Sequence, residues 1–127
     1  GQIRKKVLIN PKTRKIEGRW KDYHKGADFL AITGAPIFAA DAGWVAASRN
    51  LFGSGNTVII DHGYGLISLY FHLSRLSVKE GAEVGRGQKI GAVGMTGNAE
   101  GPHLHFEVRL RKVPINPYEF LVSGGTK

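Results

Sequence analysis

Glycine sets the strongest limit on what this chain can fold into. Of its 127 residues, 18 are Gly, and they fall between short runs of β-branched and aromatic side chains. A glycine costs a helix or strand interior about 0.5–1 kcal/mol yet suits a tight turn, so this punctuation predicts short strands joined by turns. Candidate strands are Lys6–Ile9, Pro36–Ala39, Gly43–Ala47, Thr57–Asp61, Ile67–His72, Lys89–Val93 and His103–Arg109. Helix signals are scarce; only Ile115–Leu121 has room for a turn or so, with Pro117 suited to a helix start. The expectation is an antiparallel all-β domain. Within it, Gly34-Ala35-Pro36-Ile37 leading to Gly43-Trp44-Val45 is echoed by Gly81-Ala82-Glu83-Val84 leading to Lys89-Ile90-Gly91. Turn, short strand, turn and return strand recur, which hints at a duplicated hairpin unit.

Composition narrows the chemistry. A chain of this length holds one modest core. It has no cysteine, so disulfides, thiol nucleophiles and thiolate metal sites are excluded, and any metal must be held by His, Asp or Glu. The net charge of +8 implies an anionic partner or surface. No recognition-helix or RNA-binding signature accompanies that charge, so specific nucleic-acid binding is not expected. No apolar run approaches the roughly 20 residues of a membrane-spanning helix, so no span is expected in this segment. The Gly-rich turns also lack a phosphate-binding signature.

The histidines carry the chemistry: His24, His62, His72, His103 and His105. His103 and His105 flank Leu104, and in a strand residues two apart project from the same face. Leu104, Phe106 and Val108 then point the other way, towards a core. His24 and Asp28 lie four apart, where a turn enters a strand; a His and a carboxylate so placed can converge on one ion. His72 ends the aromatic run Leu69-Tyr70-Phe71-His72. Taken singly, each element is as compatible with a surface or hydrogen-bonded residue as with a site. Taken together they are more specific, because catalytic zinc commonly takes three His or carboxylate ligands and leaves its fourth position to water. Bound zinc brings the pKa of that water to about 7 and polarises a carbonyl oxygen. His24, Asp28 and one histidine of the 103/105 pair supply such a set. The other histidine of the pair and His72 remain for proton transfer and oxyanion stabilisation. No HExxH helix is present, so histidine must replace the usual Glu base.

At this point the sequence closely resembles the lysostaphin-type, LytM-like zinc metallopeptidases of the bacterial cell wall. The resemblance runs from about His24 to about Leu121. It rests on the His24…Asp28 element, Gly34–Gly43, Gly55–Gly63, Tyr70-Phe71-His72-Leu73-Ser74, Gly81…Val84…Gly87–Gly91, Thr96-Gly97 and Gly101-Pro102-His103-Leu104-His105-Phe106-Glu107-Val108. It implies a barrel-sandwich-hybrid-like architecture of antiparallel sheets forming an open groove. It implies Zn2+ as cofactor, with His24, Asp28 and His105 as metal ligands and His72 and His103 as the catalytic pair flanking the metal-bound water. His62 matches a position that is not a ligand and reads as structural. Glu107 shares the face of His103 and His105, where it can orient a ligand or simply form a surface salt bridge.

The implied activity is zinc-dependent endopeptidase hydrolysis of stem or cross-link peptides of peptidoglycan, in the periplasm or at the extracellular cell wall. The partners expected are peptidoglycan peptides and the anionic cell-wall surface. Residues 1–20 read as a basic N-terminal extension or edge strand, and 21–127 as the metallopeptidase domain of a larger exported protein. The main rival is a non-catalytic relative that activates other wall hydrolases; against it, all three ligand positions and both auxiliary histidines are kept. A lipoyl-like carrier or sugar-phosphotransfer domain is a second rival, one with no need of Asp28 beside His24.

Overall fold

In a computed structural model, residues 26–97 and 101–117 are described in full and 17–19 by their backbone. The described chain is nearly all strand: β1 (Glu17–Arg19), β2 (Ala27–Leu30), β3 (Pro36–Phe38), β4 (Gly43–Leu51), β5 (Gly55–Gly63), β6 (Leu66–Leu76), β7 (Glu83–Val84), β8 (Lys89–Val93), β9 (His103–Leu110) and β10 (Val113–Ile115). Every pairing is antiparallel, and the main path runs β1-β2-β9-β6-β5-β4-β7. The all-β, antiparallel expectation is therefore met. The expected strand Lys6–Ile9 lies outside the described residues, as does most of the expected turn at Ile115–Leu121. The short strands β2, β7 and β10 carry too few residues to show a period in sequence.

The two echoing phrases exchange partners. The first phrase supplies β3 and β4, the second β7 and β8; β3 pairs with β8 and β4 with β7. Neither hairpin closes on itself. Each short leading strand instead satisfies its backbone on the return strand of the other copy, so the duplication interlocks the two units.

Alternation along β9 sorts its side chains as the sequence predicts. Leu104, Phe106 and Val108 are buried, while His103, His105 and Glu107 face the other way and are partly exposed. Phe106 packs between Tyr70 and Phe29, at ring-centroid distances of 5.3 and 6.4 Å. This apolar layer fixes the register of β2 and β6 on either side of β9, because a one-residue slip would turn the histidines inwards.

A chain of hydrogen bonds that starts from the buried Tyr70 and Ser68 reinforces the core. The Ala40 N–H donates to the Tyr70 hydroxyl (3.0 Å), which lies 2.8 Å from Ser68 Oγ. Ser68 Oγ in turn lies 2.7 Å from His62 Nε2, and His62 Nδ1 lies 2.7 Å from the Ala42 carbonyl. A carbonyl only accepts, so in neutral His62 the proton sits on Nδ1 and Nε2 accepts from Ser68. The hydroxyls then point one way round, from Ala40 through Tyr70 and Ser68 to His62 and back to Ala42. His62 thus has the structural role expected of it. Burial pushes the Tyr70 hydroxyl pKa up to about 12, against which its bond to Ser68 works.

Candidate metal centre and its flanking histidines

The ladder brings Asp28 and His105 directly opposite each other on β2 and β9, and Phe71 opposite His105 on β6. Asp28 Oδ1 lies 2.7 Å from His105 Nδ1. The other ring nitrogen, Nε2, lies 2.9 Å from Glu107 Oε2. Glu107 is held from behind by Arg109, whose Nε and Nη2 donate to Oε1 at 3.1 and 2.7 Å. Phe71 stacks on the His105 ring, 5.3 Å between centroids and 14° from parallel. His105 is thereby fixed in plane by an aromatic ring and in rotation by two carboxylates.

These contacts set the local protonation. Burial alone would lower the His105 pKa, but the two carboxylates outweigh it and raise the pKa to about 9. The hydrogen bond from His105 holds the Asp28 carboxyl below its ordinary range, against partial burial. Burial would raise Glu107, yet His105 and Arg109 together lower it.

His103 joins this face through its own register pair with Leu30, and its Nε2 stands 3.7 Å from Asp28 Oδ1. His103 Nδ1 donates to the Gly101 carbonyl at 2.8 Å. His72 arrives differently from expectation. It does not end its strand but sits inside β6, which continues to Leu76. Strict alternation after Phe71 would send His72 to the core side, with Tyr70. Between the pairs Asn56↔Leu73 and Val58↔Tyr70, however, β6 places Phe71 and His72 opposite the single residue Thr57. His72 adopts a left-handed φ of 67° in this bulge, a conformation costing a non-glycine residue about 1–3 kcal/mol. The bulge cancels the alternation and returns the imidazole to the His105 face, 5.2 Å from the His103 ring and 6.3 Å from the His105 ring. Its Nδ1 donates to the Thr96 carbonyl at 2.7 Å. Burial lowers the His72 pKa, with the neighbouring histidines adding to the shift and the Thr96 carbonyl opposing it.

Four of the five expected site residues, Asp28, His72, His103 and His105, therefore gather on one face of the sheet; His24 lies outside the described residues. Among the described residues, no group of three or more His, Cys, Asp or Glu side chains is arranged to hold a metal ion. The described donors are a pair. Their chemistry fits zinc, which accepts imidazole nitrogen and carboxylate oxygen. Glu107 occupies Nε2 of His105, so Nδ1 is the nitrogen left for a cation, and a carboxylate oxygen already faces it. A carboxylate behind a ligand histidine is also the usual outer support of a metal-bound imidazole.

Gly26, between the expected ligands, is close against this support. A Cβ there would stand 2.6 Å from Glu107 Cγ and 2.9 Å from His105 Nε2, and φ is +87°. Sequence reasoning named Glu107 but missed Arg109, Phe71, Gly26 and the role of Thr96. The two-residue period from His105 to Glu107 to Arg109 was the available signal for Arg109. Contacts made through main-chain carbonyls, as at Thr96, leave no such signal.

Comparison with known proteins agrees with this architecture. Over 108 residues the chain is 40% identical to peptidoglycan DD-endopeptidase ShyA of Vibrio cholerae serotype O1, covering 85% of this chain and 24% of that protein. The chain thus spans about a quarter of that relative's length. Among solved structures, a zinc containing peptidase from Vibrio cholerae superposes with a TM-score of 0.72 at 37% identity, covering 87% of this chain and 34% of that one. The antimicrobial peptidase lysostaphin from Staphylococcus simulans superposes with a TM-score of 0.76 at 32% identity, covering 87% and 50%. Residues 22–117 match the family model of Peptidase family M23, and with the fold and the histidine face above, the chain belongs to that family.

Proposed function

We propose that this chain is a zinc-dependent endopeptidase domain that hydrolyses peptide cross-links of peptidoglycan, with His24, Asp28 and His105 as metal ligands and His72 and His103 as the catalytic pair. The observation that carries the reading is the convergence of Asp28, His72, His103 and His105 on one sheet face, with the Nδ1 atoms of His72 and His103 both tied to carbonyls. That tie leaves Nε2 of each imidazole as the working atom. The DD-endopeptidase relative favours the D,D cross-link between stem peptides as the bond cut.

Zinc, when bound, supplies Lewis-acid polarisation of the peptide carbonyl and acidifies water. The residues of the chain do the rest. One neutral imidazole takes the proton of the attacking water at its Nε2 and passes it to the leaving amine. The other, carrying a second proton on Nε2, donates to the oxygen on which negative charge develops. Asp28 and His105, locked by Glu107, Arg109 and Phe71, keep the metal-facing donors still while this happens. The net charge of +8 supports attraction to an anionic wall polymer, an effect that weakens with salt. Such work places the domain outside the cytoplasm, in the periplasm or at the cell wall.

The test is digestion of purified cross-linked muropeptides of defined linkage, with products identified by mass. D,D-linked dimers should fall to monomers, and His72→Ala should keep zinc yet lose this cleavage. A zinc-loaded protein that leaves every muropeptide intact would instead support the non-catalytic regulator. Full activity in His72→Ala would remove His72 from the catalytic pair.

A further inference from the structure

Two loops close over the main chain of His72. The β4–β5 turn ends at Ser54 and leads into Gly55 and Asn56 at the start of β5; the segment after β8 holds Gly94 to Gly97. They touch so closely that a Cβ on Gly55 would lie 2.5 Å from Thr96 Oγ1, and one on Gly97 would lie 2.4 Å from Gly55 N. At their junction Thr96 bonds through both its hydroxyl and its carbonyl. The hydroxyl donates to the Leu73 carbonyl at 2.8 Å and accepts the Asn56 N–H at 3.0 Å. The carbonyl accepts His72 Nδ1–H at 2.7 Å. Asn56 Nδ2 donates to the same Leu73 carbonyl at 3.0 Å, and the His72 N–H donates to Ser54 O at 2.9 Å. His72, gripped by this clasp at both its main chain and its ring, is the residue held in the left-handed bulge.

We propose that Thr96 is a positioning residue for His72: its hydroxyl, fixed between Leu73 O and Asn56 N–H, holds the Thr96 carbonyl where it selects the Nδ1–H tautomer of His72 and aims Nε2 at the metal-facing side of the site. The hydroxyl, not the bulk of the side chain, does this. A neutral imidazole with one nitrogen tied to a carbonyl has only one tautomer left, and the other nitrogen must carry the lone pair. A strained residue needs surrounding bonds to persist, and Thr96 ties the strand following His72 to the loop that contacts its ring.

This assignment rests on the peptidase reading, but its test does not depend on activity alone. Thr96→Val keeps the shape and removes the hydroxyl; Thr96→Ser keeps the hydroxyl. In the metal-free protein, 15N chemical shifts of the His72 ring should report a single Nδ1–H tautomer in the parent and in Thr96→Ser, and a tautomer mixture in Thr96→Val. In the zinc-loaded protein, kcat on a cross-linked muropeptide should fall about 10- to 100-fold in Thr96→Val, the range seen when outer supports of a site are lost. KM and zinc content should stay at the parent values, and Thr96→Ser should recover most of the lost rate. An unchanged His72 tautomer in Thr96→Val overturns the proposal, as does a Thr96→Ser variant as impaired as Thr96→Val. A parent that binds zinc but cleaves nothing counts against the peptidase reading, and the nitrogen shifts then still decide the role of Thr96.

Discussion

Glu107 holds Nε2 of His105 at 2.9 Å, and in doing so turns Nδ1 of that ring onto Asp28. In the proposed centre, the nitrogen left for the metal is thus chosen by a residue that is not itself a proposed ligand. Glu107→Gln removes the negative charge from behind the ring and weakens the grip of Arg109. Zinc affinity should fall about 10- to 100-fold, measured by competition with a chromophoric chelator. An affinity equal to the parent would mean that Glu107 serves only as a partner for Arg109.

Gly26 should tolerate nothing larger. Its φ of +87°, and the mere 2.6 Å that would separate an added Cβ from Glu107 Cγ, set two penalties on Gly26→Ala. The left-handed backbone alone costs a residue with a Cβ about 1–2 kcal/mol, and relief of the overlap must push Glu107 off His105. Gly26→Ala should therefore lower both the denaturant midpoint of the metal-free protein and its zinc affinity. Loss of stability with parent-like zinc affinity would separate the turn from the site.

Tyr70 gives a pH signature away from the site. Its hydroxyl pKa rises from an ordinary 10.0 to about 12 on folding, so the neutral form is the one the fold favours. That contribution is complete below pH 10 and is lost as pH climbs towards 12. Tyr70→Phe leaves the Ala40 N–H and Ser68 short of a partner and should cost about 1–3 kcal/mol at neutral pH. The stability gap between parent and variant, followed by urea unfolding, should narrow across that alkaline window. A gap that stays constant with pH would contradict the burial of this hydroxyl.

Much of the site was legible because β-strands repeat every two residues. That period put His103 and His105 on one face and Leu104, Phe106 and Val108 on the other, as the burial of the three apolar residues bears out. The same period carries on to Glu107 and Arg109. It fails at His72, where one left-handed residue reverses the alternation; a bulge is set by the register of the partner strand, which no local pattern encodes. The partner exchange of β3 with β8 and β4 with β7 was hidden for a related reason. The echo in sequence revealed two similar units, but pairing between units depends on the tertiary arrangement.

The proposed centre is a single zinc ion held jointly by His24, Asp28 and His105. Metal analysis of the purified protein by mass spectrometry, beside the single alanine variants of those residues, tests it most directly. The parent should carry about one zinc per chain, and each variant should lose it after mild dialysis against chelator. Parent-like zinc retained in any one variant would remove that residue from the ligand set, and a parent without zinc would contradict the claim at its root.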